Sequence, residues 1–345
     1  MRKMTYEQLQ EIIQKEGTIT SKNISIVLAE LVQQSDEEYG EFGEYEYEND
    51  PRTKMRELAD AMANEGYTFY ADANDYHNIA VDYARQNLPD CSIRILQRGI
   101  MKYPFSSDLL ADLILYGKES GEFEVCKSAL DNLMRVDRKS WGWRAYSFSI
   151  DYYMDEINKL PAGDEHKELY TLIHSLADEY IAYSERQPSA IDRAYCKKAD
   201  VIKEIGGEDT SEEYLLKGCS KYPLAPQCSL HLADMLVERG EYDKAITHLD
   251  KCKLASISVQ PDISPSYVHL LYAMTKTSQL LADTSTTQYE DRDDEIDAIY
   301  KDFHIAMKYS YNQTYEKAAK NTIKMIEIQT GHKDNTYDPE GDENY

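Results

Sequence analysis

Residues 192–225, DRAYCKKADVIKEIGGEDTSEEYLLKGCSKYPLA, and residues 226–259, PQCSLHLADMLVERGEYDKAITHLDKCKLASISV, decide how this chain is read, because they are consecutive copies of one pattern with a period of 34. In the first copy the small or apolar markers are Ala199, Ile202, Leu215 and Gly218, with Gly206 between two helical segments and Pro223 closing the unit. In the second they are Leu232, Ala233, Leu236, Ala245, Leu249 and Cys252, with Gly240 and Tyr242 at the turn. Apolar residues three and four apart give each segment one oily stripe. A hairpin of two such helices cannot cover both stripes alone, so a period of this length predicts a stack in which each pair is buried against the next.

The same ruler laid upstream finds windows 73–106 and 107–140. The first carries Tyr76, Ile79, Ala80, Tyr83, Ser92, Leu96, Gly99 and Pro104; the second carries Leu113, Gly121, Phe123, Cys126, Leu130 and Leu133. Asn87, Gly121, Gly206 and Gly240 fall at one position in all four windows, where the first helix ends. That position favours residues that tolerate a left-handed backbone. Arg98-Gly99 with Lys102-Tyr103-Pro104 returns as Lys217-Gly218 with Lys221-Tyr222-Pro223, which argues for internal duplication. Residues 141–191 exceed one period, so this middle unit needs longer helices or a long loop, with Pro161-Ala162-Gly163 at its turn.

The pattern of small residues at the eighth, twentieth and twenty-seventh positions, bulky ones at the eleventh and twenty-fourth, and proline near the end resembles the tetratricopeptide repeat, TPR. Ser229 stands where the family prefers tryptophan, and window 192–225 has Tyr195 there and departs at Ser211. The resemblance extends over roughly residues 73–283. It implies an all-α fold: a right-handed α-solenoid of TPR-like helical hairpins with an N-terminal helical extension and C-terminal capping helices. It also implies a concave groove used for binding.

The expected organisation is an N-terminal helical hairpin over 1–34, an acidic Tyr-rich linker over 35–50, the repeat array over 51–283, capping helices over 284–330 and a disordered acidic tail over 331–345. Thr5 with Gln8 forms a capping box before Leu9, Ile12 and Ile13. Two short helices could read DNA, but residues 1–34 carry four bases and four acids and no basic recognition face. Residues 35–50 hold eight acids and no base among four aromatics, which reads as a solvated linker or as an acidic docking strip. Trp141, Trp143, Tyr146, Phe148, Tyr152 and Tyr153 read as packed core of the middle unit. Asp283 to Asp294 reads as an exposed loop. Lys317, Lys320 and Lys324 form a basic stripe on the outer face of the last helix.

The formal net charge is −25, which repels nucleic-acid phosphates and anionic membranes. The expected partner is therefore a protein or peptide of basic character, with no nucleic acid and no membrane. Acidity alone also keeps such an array soluble. The six cysteines form no CxxC pair and have no neighbouring histidine at zinc spacing. They read as reduced core thiols, and with no secretory signal at the start they suggest a cytoplasmic protein.

No phosphate loop, nucleophile elbow, HExxH or calcium-loop spacing occurs, and His231 with His248 is the one histidine pair that facing helices might join. The expectation is a non-enzyme with no cofactor and no metal. In the family, each first helix offers its second, fifth, ninth, twelfth and thirteenth positions to the groove. The candidate partner-binding residues are then Asn74, His77, Arg85, Lys118, Arg193, Asp200, Lys203, Gln227, Asp234 and Glu238. Chaperone-binding members use a lysine and asparagine clamp, but His77 and Val81 stand where it would begin, so that function does not carry over. The leading reading is a scaffold or adaptor that holds a protein or peptide in the groove. Alternatives are a peptide sensor controlling an effector enzyme held by residues 1–70, and an acidic mimic of nucleic acid.

Overall fold

The computed structural model describes residues 5–14, 19–38, 51–63, 69–70, 72–187, 190–207, 210–222, 225–256, 263–282, 292–310 and 313–336. The chain divides into two compact units, Met1–Leu169 and Tyr170–Tyr345.

The first unit begins with α1 (Tyr6–Gln14), α2 (Ser21–Glu38) and α3 (Pro51–Ala63). The expected capping box opens α1: the Gln8 amide donates to Thr5 Oγ1 at 3.3 Å and the Thr5 amide to Gln8 Oε1 at 3.2 Å. Leu9, Ile24, Val27, Leu28, Leu31, Met55, Leu58 and Met62 are buried, and α2 packs on both α1 and α3. A short parallel pair, β1 (Ile19–Thr20) and β2 (Phe69–Tyr70), ties the entry to the repeats; nothing in the sequence pattern announces it. Helix α2 runs through Glu38, past the boundary at residue 35 where the acidic linker was expected to begin, and residues 39–50 lie outside the described residues.

The repeats of this unit are α4 (Ala73–Arg85) with α5 (Pro89–Lys102), and α6 (Ser107–Glu119) with α7 (Phe123–Leu133). Helix α4 packs on α5, α5 on α6 and α6 on α7, and α4 also reaches α6, so the first helices of consecutive pairs lie side by side. Helices α8 (Trp143–Ile157) and α9 (Asp164–Ser184) are the long helices of the middle unit, joined by a turn containing Pro161-Ala162-Gly163; α9 passes from the first compact unit into the second. Trp141 and Tyr146 are buried as expected of core, whereas Trp143, Phe148, Tyr152 and Tyr153 are half-buried.

The second unit repeats the plan with α10 (Ile191–Ile205) on α11 (Ser211–Lys221), α12 (Pro226–Glu238) on α13 (Tyr242–Ser256), and α14 (Pro265–Ala282) on α15 (Asp293–Lys308), followed by α16 (Gln313–Thr330). Here too α10 meets α12. Helix α16 lays Ala319, Ile323 and Ile326 into a core with Leu280, Ile296, Ile299 and Phe303, and keeps Lys317, Lys320 and Lys324 exposed. Residues 283–291, most of the expected exposed loop, lie outside the described residues.

Two backbone features explain the period. Asn87, Gly121, Gly206 and Gly240 have φ of 57°, 74°, 86° and 75°, the left-handed region expected of the residue ending each first helix. The small position of the second helix is small because both its own first helix and the next hairpin approach it closely. A Cβ on Gly218 would lie 2.6 Å from Cys228 Sγ, and one on Gly99 would lie 2.9 Å from Tyr76 Cγ.

Of the expected tail of residues 331–345, the first six residues are described. Gly331–Thr336 is described and held: Tyr300 donates to the His332 carbonyl at 2.8 Å, His332 Nε2 lies 2.7 Å from Asp297, and His304 Nε2 lies 2.6 Å from Asp334. Composition suggested disorder, but histidines facing carboxylates supply local anchors that composition does not register. Residues 337–345 lie outside the described residues.

Candidate partner-binding face

The candidate residues fall in both compact units, four in the first and six in the second, so each set is described by itself. In the first unit, Asn74 is exposed on α4 and Arg85 is exposed with Asp82 3.9 Å away. His77 is buried, and its Nδ1 lies 2.5 Å from the buried Asp112 on α6. Arg144, on α8, approaches the other oxygen of Asp112 at 3.9 Å. His77 is therefore an inter-repeat fastener rather than an open contact residue. Lys118 is exposed and pairs with Asp155 of α8. Burial, with Asp112 and Glu119 nearby, pushes the Tyr116 hydroxyl up to about 12.

In the second unit the first helices α10, α12 and α14 carry a linked polar strip. Asp200 on α10 lies 3.4 Å from Nδ1 of His231 on α12, and Asp234 on α12 accepts from the Tyr267 hydroxyl of α14 at 3.3 Å. Asp200, His231, Asp234 and Tyr267 are half-buried, while Lys203 and Glu238 beside them are exposed. The Asp200 carboxylate beside it holds the His231 pKa above its ordinary value against the opposing effect of burial. Burial raises the Asp234 carboxyl, and burial with the Asp234 charge pushes Tyr267 up to about 12. Arg193 is half-buried on α10. Gln227 serves structure: its amide donates to Asp192 at 2.7 Å and the Cys228 amide to the same carboxylate at 2.9 Å. The buried Asp192 of one repeat thus caps the first helix of the next.

Within each unit the hairpins α4–α5 and α6–α7, and α10–α11 and α12–α13, pack on their own partners, α4 meets α6 and α10 meets α12, and Asn87, Gly121, Gly206 and Gly240 take a left-handed backbone at the four inter-helix turns, which decides the architecture. The fold is tetratricopeptide-like. No protein-family profile matches the sequence and no curated protein matches it. Among solved structures the chain is similar to a tetratricopeptide repeat protein from Parabacteroides merdae, at 16% identity and a TM-score of 0.49, over 86% of this chain and 98% of that one. It is also similar to PilW, a type IV pilus biogenesis factor, at 12% identity and a TM-score of 0.46, over 73% and 98% of the two chains. A thermophilic TPR protein from Thermus thermophilus matches at 15% identity and a TM-score of 0.44, over 59% and 98%.

Several polar residues of these TPR-like helices were not singled out by sequence. Asp112, Asp192 and Asp302 are buried acids whose partners lie in another helix. Asp302 accepts from Lys253 Nζ at 2.7 Å and also meets His269 Nδ1 at 2.5 Å. Lys198, buried on α10, pairs with Asp178 of α9 at 2.6 Å and lies beside His174, whose pKa is lowered by burial and by that lysine.

His231 and His248 occupy different settings. His231 faces α10, whereas His248 lines a cavity of about 420 Å3 among α11, α12 and α13, with Leu216, Leu232, Leu236, Arg239 and Lys244. Burial lowers the pKa of His248. The cysteines are all unbridged, and all but the half-buried Cys219 are buried. Among the described residues, no helix is long and apolar enough to cross a membrane.

Proposed function

We propose that this protein is a scaffold or adaptor that binds a protein or peptide segment along the face formed by α10, α12 and α14, and that it works by binding rather than by catalysis. The observation that carries the reading is the strip of half-buried polar groups running across three consecutive first helices, Asp200 with His231 and then Asp234 with Tyr267. Such groups are already ordered by their neighbours, so a partner that hydrogen-bonds to them meets little further entropy loss. With Glu238 exposed beside Asp200 and Asp234, the strip favours a basic segment with apolar anchors. Lys203 limits how much positive charge is accepted and sets where it lies. The overall charge of −25 adds long-range attraction for a basic partner. A cytoplasmic setting belongs to this proposal, since the unbridged thiols suit a reducing compartment.

The test is affinity capture from native lysate with the full chain and with the Asp234→Lys variant. The expected result is a stoichiometric partner, enriched in Lys and Arg at its contact segment, that the variant loses. No stoichiometric partner, or equal capture by both chains, overturns the assignment of this face.

A further inference from the structure

Among the described residues, one group of three potential metal ligands has its donor atoms gathered within 4.8 Å of one another: Cys196 and Asp200 of α10 with His231 of α12. Cysteine and aspartate four apart on a helix present their side chains on one face, and His231 arrives from the next repeat. His231 Nδ1 lies 3.4 Å from Cys196 Sγ and 3.4 Å from Asp200 Oδ1.

For a hydrogen bond between nitrogen and oxygen, that separation is long, since such bonds are usually ~2.7–3.2 Å. It does match the edge of a tetrahedron around an ion. Bonds of about 2.3 Å to sulfur and about 2.0–2.2 Å to nitrogen and oxygen place neighbouring ligand atoms roughly 3.3–3.7 Å apart. We propose that Cys196, Asp200 and His231 form a binding site for one divalent ion of the zinc type, bridging two consecutive repeats and leaving a fourth position for water or for a ligand atom brought by a partner.

The donor set selects the ion class. A thiolate, an imidazole and a carboxylate together suit zinc or cobalt(II), whereas magnesium and calcium are held by oxygen. Three protein ligands with an open fourth position is also the arrangement found where zinc stays accessible. The exposure pattern fits: Cys196 is buried, while the His231 and Asp200 side chains are 43% and 28% exposed, so the cluster opens toward solvent on one side. Binding converts the Cys196 thiol to thiolate, its proton leaving to water, and the two negative ligands then balance the ion's charge. The site shares Asp200 and His231 with the proposed partner-binding strip, but its three ligands all belong to this chain, so metal binding can be read without a partner.

The experiment is titration of the reduced, metal-free full chain with cobalt(II), read by visible absorption, followed by zinc competition. The expected result is one equivalent of tetrahedral cobalt with a thiolate-to-metal charge-transfer band, displaced by zinc, together with a zinc-dependent rise in melting temperature. His231→Gln and Asp200→Asn, at partly exposed positions that keep the fold, weaken binding at least about tenfold. Cys196→Ser removes the charge-transfer band, and Cys219→Ser, at a thiol outside the cluster, leaves it unchanged. No thiolate band with wild type, or a band that survives His231→Gln and Asp200→Asn at full affinity, overturns the proposal. Neither result bears on whether a partner is captured.

Discussion

Replacing Gly218 by valine tests the stacking of repeats at its tightest contact. A Cβ at this position would meet Cys228 Sγ at 2.6 Å and Tyr195 Cβ at 2.9 Å. Both neighbours are buried, Cys228 completely and Tyr195 to within 4%, and a Cβ atom cannot move without its backbone. Helix α11 must therefore shift away from α10 and α12. Overpacking of a filled core costs about 1–3 kcal/mol, and valine's two further methyl groups place it toward the upper end. Replacing glycine inside a helix returns only a few tenths of a kcal/mol for a β-branched residue. The net loss of roughly 1–3 kcal/mol corresponds to a fall in melting temperature of about 2–12 °C at ~2–4 °C per kcal/mol for a unit of this size. Circular dichroism on heating reads the shift. Combining Gly218→Val with Cys228→Ala removes one of the two obstructing atoms, so the pair should be coupled by at least ~0.5 kcal/mol in a double-mutant cycle. A Gly218→Val protein that melts with the wild type, or shows no coupling to Cys228→Ala, would refute the close approach of consecutive hairpins.

Asp192→Ala deprives the Gln227 and Cys228 amides of their acceptor and should cost about 2–4 kcal/mol in urea unfolding, with Asp192→Asn milder because one acceptor oxygen remains. His332 has its pKa raised by its bond to Asp297 and by Asp293. A raised folded-state value contributes stability that is present below the ordinary histidine value and is lost as pH rises through the raised one. An NMR titration of the His332 ring should thus give a midpoint above ~6.5, returning toward it in Asp297→Asn, and residues 331–336 should become easier to cleave by protease as pH rises through that midpoint. Alkylation of the native chain followed by mass spectrometry should modify Cys219 first, because Cys91, Cys126, Cys196, Cys228 and Cys252 are buried. Equal labelling of Cys228 and Cys219 would contradict the packing around Asp192.

What the sequence disclosed and what it withheld follow from the range of each interaction. The turn residues Asn87, Gly121, Gly206 and Gly240 were readable because a left-handed backbone is a local demand. The Thr5 and Gln8 cap was readable for the same reason, its two partners lying three residues apart. The small residues Gly99 and Gly218 were legible as a period, but the atoms that require them, on Tyr76 and Cys228, were not. Longer-range pairs escaped. His77 looked like an open groove residue because Asp112, which holds it, is 35 residues away on the next first helix. The cap from Asp192 to Gln227 spans a similar separation. Cys196, Asp200 and His231 show no ligand spacing along the sequence, since only the fold brings α12 beside α10. The signal was present in a weaker form: an acid or thiol and a histidine about one repeat apart, at neighbouring positions of the pattern.

The most direct test of the account is hydrogen exchange of the full chain with and without the partner recovered by affinity capture, resolved to single helices. Partner binding on this face should slow exchange along α10, α12 and α14, centred on Asp200, His231 and Asp234, with α11 and α13 unchanged. Protection confined to α11 and α13, or to residues of the first compact unit, would contradict the assignment of the binding face.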